Sequence, residues 1–166
     1  VTVSDNGGTL VASPDLNYNI EFNNTYIPAP VDVTLNGSKI LSGRDIADGE
    51  FQFVLKQDGV EIEKVNNLGA EFSFETITYR TAGVYTYTVE ETDNDLAGVT
   101  YDTAIYEITV TVTDNGNGKL LATVDMKKNG LESTEIVFVN EYIPAPYSFT
   151  ITGNKNLTGR EQNANE

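Results

Sequence analysis

The chain repeats itself at a fixed interval, which restricts it to folds built from one recurring module. Residues 22–30 read FNNTYIPAP and residues 138–146 read FVNEYIPAP. The stretches that follow also correspond: VDVTLNGSKILSGRD from Val31 and YSFTITGNKNLTGRE from Tyr147. Tyr26 matches Tyr142, Asn24 matches Asn140 and Lys39 matches Lys155, each pair 116 positions apart in the numbering. VTVSDNGGTLVA at the start resembles VTVTDNGNGKLLA from Val110, with one residue of slippage. Residues 1–27 are therefore expected to be the C-terminal strands of a preceding repeat, 31–142 a complete repeat, and 147–166 the first strand of a following one. Starting at Val1 without Met, in a strand-like segment, the chain reads as a piece of a longer protein. Pro28, Pro30, Pro144 and Pro146 fix φ at the joints and stiffen them. Stiff joints between rigid modules make a stalk.

Within the complete repeat, alternating segments fall at 31–41, 50–56, 70–75, 83–92, 103–113, 118–126 and 134–142. Gln57-Asp58-Gly59, Asp93-Asn94-Asp95 and Asp114-Asn115-Gly116 lie between them and suit tight turns. Short strands with turn signals at this spacing predict an all-β, immunoglobulin-like antiparallel sandwich, with no helix.

Composition excludes several functions. A net charge of −15 opposes binding to nucleic acid or to anionic membranes. No apolar run is long enough for a membrane insertion. Without Cys or His there are no disulfides, no thiolate metal sites and no histidine base. The acidic stretches at Glu90–Asp95 and Asp114–Asn117 carry oxygen ligands suited to calcium but read more simply as hairpin turns, so no metal or cofactor is expected. Asp102-Thr103 has the look of an aspartic-protease dipeptide, but it is a single copy without a partner carboxylate.

Three polar residues break the apolar pattern. Side chains alternate across a strand, so Lys39 shares a face with Val31, Val33, Leu35 and Gly37. Glu91 lies with Tyr85, Tyr87 and Val89, while Glu90 points outward. Asn140 lies with Ile136 and Phe138. The pattern recurs in the flanking pieces, where Lys155 follows Phe149 and Ile151, and Asn24 follows Ile20 and Phe22. Burying a charge without a partner costs several kcal/mol. Three readings are open: a bulge at Asn36 or Gly37 that returns Lys39 to solvent, an ordinary buried hydrogen-bonded cluster, or residues that react with one another.

NGSKILSGRDIADGEFQF, GVYTYTVEET, VTYDTAIYEITVTV and IVFVNEYIP, in that order and spacing, resemble the streptococcal pilin isopeptide linkage domain of the FctA-like major-pilin type. The resemblance covers nearly all of 31–142. It implies a CnaB-like sandwich in which Lys39 is the amine donor and Asn140 the acceptor of an intramolecular isopeptide bond, with Glu91 the buried acid that promotes it. Asn24 and Lys155 occupy the equivalent positions of the partial repeats. The crosslink would be a single-turnover self-modification and not enzymatic turnover.

The implied role is a structural stalk or pilus-backbone module, secreted and held on a Gram-positive cell wall. The alternative is an adhesin domain that binds a host or partner-cell molecule, which would need a large insertion or an exposed aromatic patch. The expected partners are neighbouring repeats. The unpaired edges of the two incomplete ends are also expected to pair between chains. The 166 residues contain neither an LPxTG-type sorting signal nor a YPKN-type pilin lysine motif, so a wall-anchored adhesin stalk fits at least as well as a pilus subunit.

Overall fold

The structure, a computed structural model, describes residues 1–13, 21–161, 163 and 164. Its strands, in chain order, are β1 (Thr2–Asp5), β2 (Leu10–Ser13), β3 (Val31–Val33), β4 (Asn36–Ser42), β5 (Gln52–Gln57), β6 (Val60–Asn66), β7 (Glu71–Ser73), β8 (Ile77–Tyr79), β9 (Gly83–Thr92), β10 (Val99–Thr100), β11 (Ile105–Asp114), β12 (Leu120–Lys128), β13 (Leu131–Ser133) and β14 (Val137–Tyr142). No helix occurs among the described residues.

The strict alternation of GVYTYTVEET and IYEITVTVTD makes these segments the two central strands of a six-stranded sheet ordered β13-β12-β11-β9-β5-β6. Tyr87, Val89, Tyr106, Ile108 and Val110 point from it into the core. A four-stranded sheet, β10-β14-β4-β7, packs against it. Rings meet across the gap: Phe53 of β5 stacks on Phe72 of β7 at 3.8 Å between centroids, and Tyr106 meets Phe138 edge-on at 5.2 Å. This is the expected two-layer all-β sandwich.

Among the described strands, pairing is antiparallel with one exception. β14 runs parallel to β4, in a register that sets Phe138 against Lys39 and Asn140 against Leu41. The first and last long strands of the module therefore lie side by side. Gly37 permits that approach, because a Cβ there would sit 2.5 Å from the Phe72 ring and 2.8 Å from the Ile136 carbonyl oxygen.

The expected strand over 31–41 is two strands. At Thr34–Leu35 the chain leaves a separate two-stranded pairing with β8 and enters the four-stranded sheet beside β7. Leu35 fills the core at the break, and Thr34 Oγ1 is hydrogen-bonded to Thr76 Oγ1 at 2.7 Å. No bulge at Asn36 or Gly37 turns Lys39 outward; it is 1% exposed. Four strands go beyond the sequence expectation: β6, β8, β10 and β13. β6 is an edge strand with Val60 and Ile62 facing solvent, so its alternation is not that of a buried face. Its turn, Asp58-Gly59, has positive φ at both residues (50° and 81°), as a two-residue I′ hairpin requires.

At the N-terminus, β1 and β2 form a hairpin exposed at every position, joined from Asp5↔Leu10 much as β11 and β12 are joined from Asp114↔Leu120. No strand forms over 147–161. β4 draws its hydrogen bonds from β14 and β7, and no strand lies against 147–161 to do the same. Phe22, Phe149 and Ile151 are exposed, at 86%, 72% and 82%. Ile20 lies outside the described residues.

Candidate functional site: a buried lysine, glutamate and asparagine

The parallel pairing of β4 and β14, with β9 opposite, closes three polar side chains inside an apolar core. Lys39 and Asn140 are each 1% exposed, and the side chains of Lys39 and Glu91 are fully buried. Glu91 bridges the other two. Its Oε2 accepts from Lys39 Nζ at 2.9 Å, and its Oε1 accepts from Asn140 Nδ2 at 3.0 Å. The Phe51 ring covers the amine, with its centroid 4.8 Å from Nζ. The backbone N–H of Asp102 donates to Asn140 Oδ1 at 2.7 Å, which fixes the amide orientation, since only an oxygen accepts from an N–H.

Burial disfavours the charged form of every ionisable group. It pulls the Lys39 amine below its ordinary value, and the hydrogen bond and charge of Glu91 offset this only in part. It likewise pushes the Glu91 carboxyl up against the opposing influence of Lys39 and Asn140. Both groups are thus moved toward neutrality. A neutral amine is a nucleophile, and a carboxyl that can hold or release a proton relays it between nitrogens.

All three residues singled out by strand parity meet at this site. Glu90 lies on the opposite face, ion-paired with Lys56 at the surface. Asn24 and Lys155 are exposed and outside strands, away from the buried setting of Asn140 and Lys39. The acidic stretches build turns: Asp93 Oδ1 accepts the Asp95 N–H, and Asp114 Oδ1 accepts the Gly116 N–H.

Asp102 is the residue that sequence reasoning missed. Its carboxylate accepts from the Ala104 and Val139 N–H groups at 2.9 and 3.0 Å, and from Lys128 Nζ at 3.3 Å. Burial alone would raise its pKa, but these donors outweigh burial and hold the carboxyl below the usual range. The side chain thereby pins the loop whose N–H touches Asn140. An Asp two residues ahead of Ala104, just before β11 opens at Ile105, suits an Asx turn. Its tie to Val139 is long-range and leaves no local signal.

The family model for FctA, the Spy0128-like isopeptide containing domain, matches residues 35–143. The chain belongs to this family. It is a pilin-like isopeptide domain, a structural β-sandwich of surface proteins. Solved structures similar to this FctA-family chain include a mutant of the major pilin from Streptococcus pyogenes, at 26% identity and a TM-score of 0.47, covering 67% of this chain and 50% of that one. The major pilin from Streptococcus pyogenes itself is 23% identical, with a TM-score of 0.47, covering 72% and 51%. The T3.2 major pilin protein from the same organism is 19% identical, with a TM-score of 0.49, covering 66% and 52%. The chain spans about half the length of these pilins. No curated protein sequence matches it.

Proposed function

We propose that residues 31–142 are a self-crosslinking module in the shaft of a Gram-positive surface fibre, one repeat of a tandem array in which Lys39 and Asn140 condense into an amide. The observation that carries this reading is the buried carboxyl of Glu91 hydrogen-bonded at once to the amine and to the amide nitrogen. Neutral Lys39 Nζ attacks Cγ of Asn140. As negative charge grows on Oδ1, the Asp102 N–H already points at it, in the manner of an oxyanion hole. Glu91 takes a proton from Nζ and delivers it to Nδ2. The Cγ–Nδ2 bond breaks, ammonia leaves, and the Nζ–Cγ amide remains. Folding supplies the proximity that makes such a step fast. The reaction occurs once per chain.

The bond would close a loop of about 100 residues, which by chain-entropy reasoning adds about 4–5 kcal/mol. It would also join the parallel first and last strands directly, so that tension enters at β4 and leaves at β14 without unzipping the core. That suits a stalk at the cell surface. Intact mass spectrometry tests the proposal. The folded chain is expected to weigh one ammonia less than its sequence and to yield, on digestion, a branched peptide joining Lys39 to Asn140. A full mass with no branched peptide rejects it.

The ends belong to the same reading. Segments 1–24 and 147–158 would be last and first strands of one module type, and their apolar faces at Phe22 and at Phe149/Ile151 are exposed. Pairing between chains would cover them. Size-exclusion chromatography with light scattering is expected to show association that rises with concentration and disappears when either end is deleted. A monomer at all concentrations refutes the pairing.

A further inference from the structure

The joint before the module is fastened to it by contacts that the isopeptide chemistry does not use. Tyr26 lies 88 positions from Asp114, yet its hydroxyl donates to Asp114 Oδ1 at 2.9 Å. The Gly118 N–H donates back to the same hydroxyl at 3.1 Å. Three residues on, Ala29 adds a short parallel bridge to Lys119: its N–H donates to the Gly118 carbonyl at 2.8 Å, and its carbonyl accepts the Leu120 N–H at 3.0 Å. Tyr26 is 58% exposed, so hydrogen bonds and not burial hold the ring. The receiving surface is the tip of the β11–β12 hairpin, where positive φ at Gly118 (80°) turns its N–H toward the tyrosine.

Tyr142 holds the same place in the next joint, and its module grips it from the other side. The Arg44 guanidinium lies over its ring, 4.8 Å from the centroid. Gly43 and Gly98 let the backbone come close, since a Cβ on Gly43 would sit 2.2 Å from the Tyr142 carbonyl oxygen and one on Gly98 would sit 2.6 Å from the Ile143 carbonyl oxygen. The Ile143 N–H donates to the Gly98 carbonyl at 2.8 Å. Ring and backbone are thus tied to the module that ends there, and the hydroxyl sits at the far end of the ring. The exposed N-terminal hairpin carries the matching receiver, with Asp5 Oδ1 accepting the Gly8 N–H at its tip as Asp114 accepts that of Gly116.

We propose that the tip of the β11–β12 hairpin, Asp114 to Lys119, is a docking socket for the Tyr-Ile-Pro-Ala-Pro joint of the preceding repeat, and that this tyrosine lock sets the angle between successive modules. The prolines limit the joint; the tyrosine decides where it points. The inference rests on reading 31–142 as one repeat of an array, but not on the Lys39–Asn140 bond.

Amide hydrogen exchange on the 166-residue chain, followed by NMR, tests it in wild type, Tyr26→Phe and Tyr142→Phe. In wild type the Ala29 and Leu120 amides are expected to be protected. In Tyr26→Phe they should exchange about fivefold to tenfold faster, the loss of roughly one hydrogen bond, while the central amides of β9 and β11 are unchanged. Tyr142→Phe should leave Ala29 as in wild type. An unprotected Ala29 in wild type, or equal exchange in Tyr26→Phe, overturns the proposal. The intact mass of the same samples reports the crosslink independently, so failure of either reading is visible without the other.

Discussion

Glu91→Gln is expected to fold into the same sandwich and keep the full mass of its sequence, whereas Glu90→Gln still loses one ammonia. Glutamine preserves the size of the buried side chain but cannot take a proton from Lys39 Nζ and pass it to Asn140 Nδ2, which are the two contacts Glu91 makes. Glu90 touches neither partner. Its ion pair with Lys56 is about one-third exposed on both sides, and such surface pairs contribute about 0–1 kcal/mol. Losing the crosslink removes the closure of a loop of about 100 residues, about 4–5 kcal/mol, which for a domain of this size lowers Tm by on the order of 20 °C. Scanning calorimetry and intact mass on the two variants separate the roles. If Glu91→Gln loses ammonia as wild type does, Glu91 is not the acid.

Some of this site was legible because strands alternate. Lys39, Glu91 and Asn140 each sit in phase with residues that had to face a core, and a polar residue in phase with Tyr87 and Val89 is conspicuous at any distance. β9 was legible to its ends for the same reason, since all of its apolar side chains but Val84 lie on one face and Gly83 opens it. The phase argument survived even where the strand itself did not. Val31 to Lys39 is broken at Thr34–Leu35, yet Leu35 and Lys39 both point inward.

What stayed hidden is contact between loops, where no period exists to read. Asp102 reaches Val139 and Lys128, and Tyr26 reaches Asp114, through single hydrogen bonds across long stretches of chain. Asn67 is a further case. It is 3% exposed and latches a turn by accepting the Phe51 N–H and donating to the Ala47 and Gly69 carbonyls. In sequence it is the second Asn of an Asn-Asn pair, two residues ahead of Gly69.

Asn140→Ala removes the acceptor while leaving the Lys39 amine and the Glu91 acid in the core, and its stability deficit is expected to shrink as the solution becomes alkaline. In this variant burial keeps the folded Lys39 pKa below its ordinary value of 10.5. Between those two pKa values the unfolded chain binds more protons than the folded one, so stability rises with pH across that window. Crosslinked wild type has no such amine in either state and gains nothing there. Glu91 is raised by burial, so the folded state binds the extra proton and stability falls as pH climbs from 4.5 through the raised value. The acid is present in both proteins, so this contribution is shared. Other titrating groups are common to the two proteins and drop out of the difference. Denaturant unfolding of both proteins from about pH 7 to about pH 10 is therefore expected to start with a gap above the about 4–5 kcal/mol of the lost loop closure and to close steadily toward that figure at the alkaline end. A gap that is constant or widens over that range means that Lys39 is held charged in the uncrosslinked fold, and the neutral-amine mechanism fails with it.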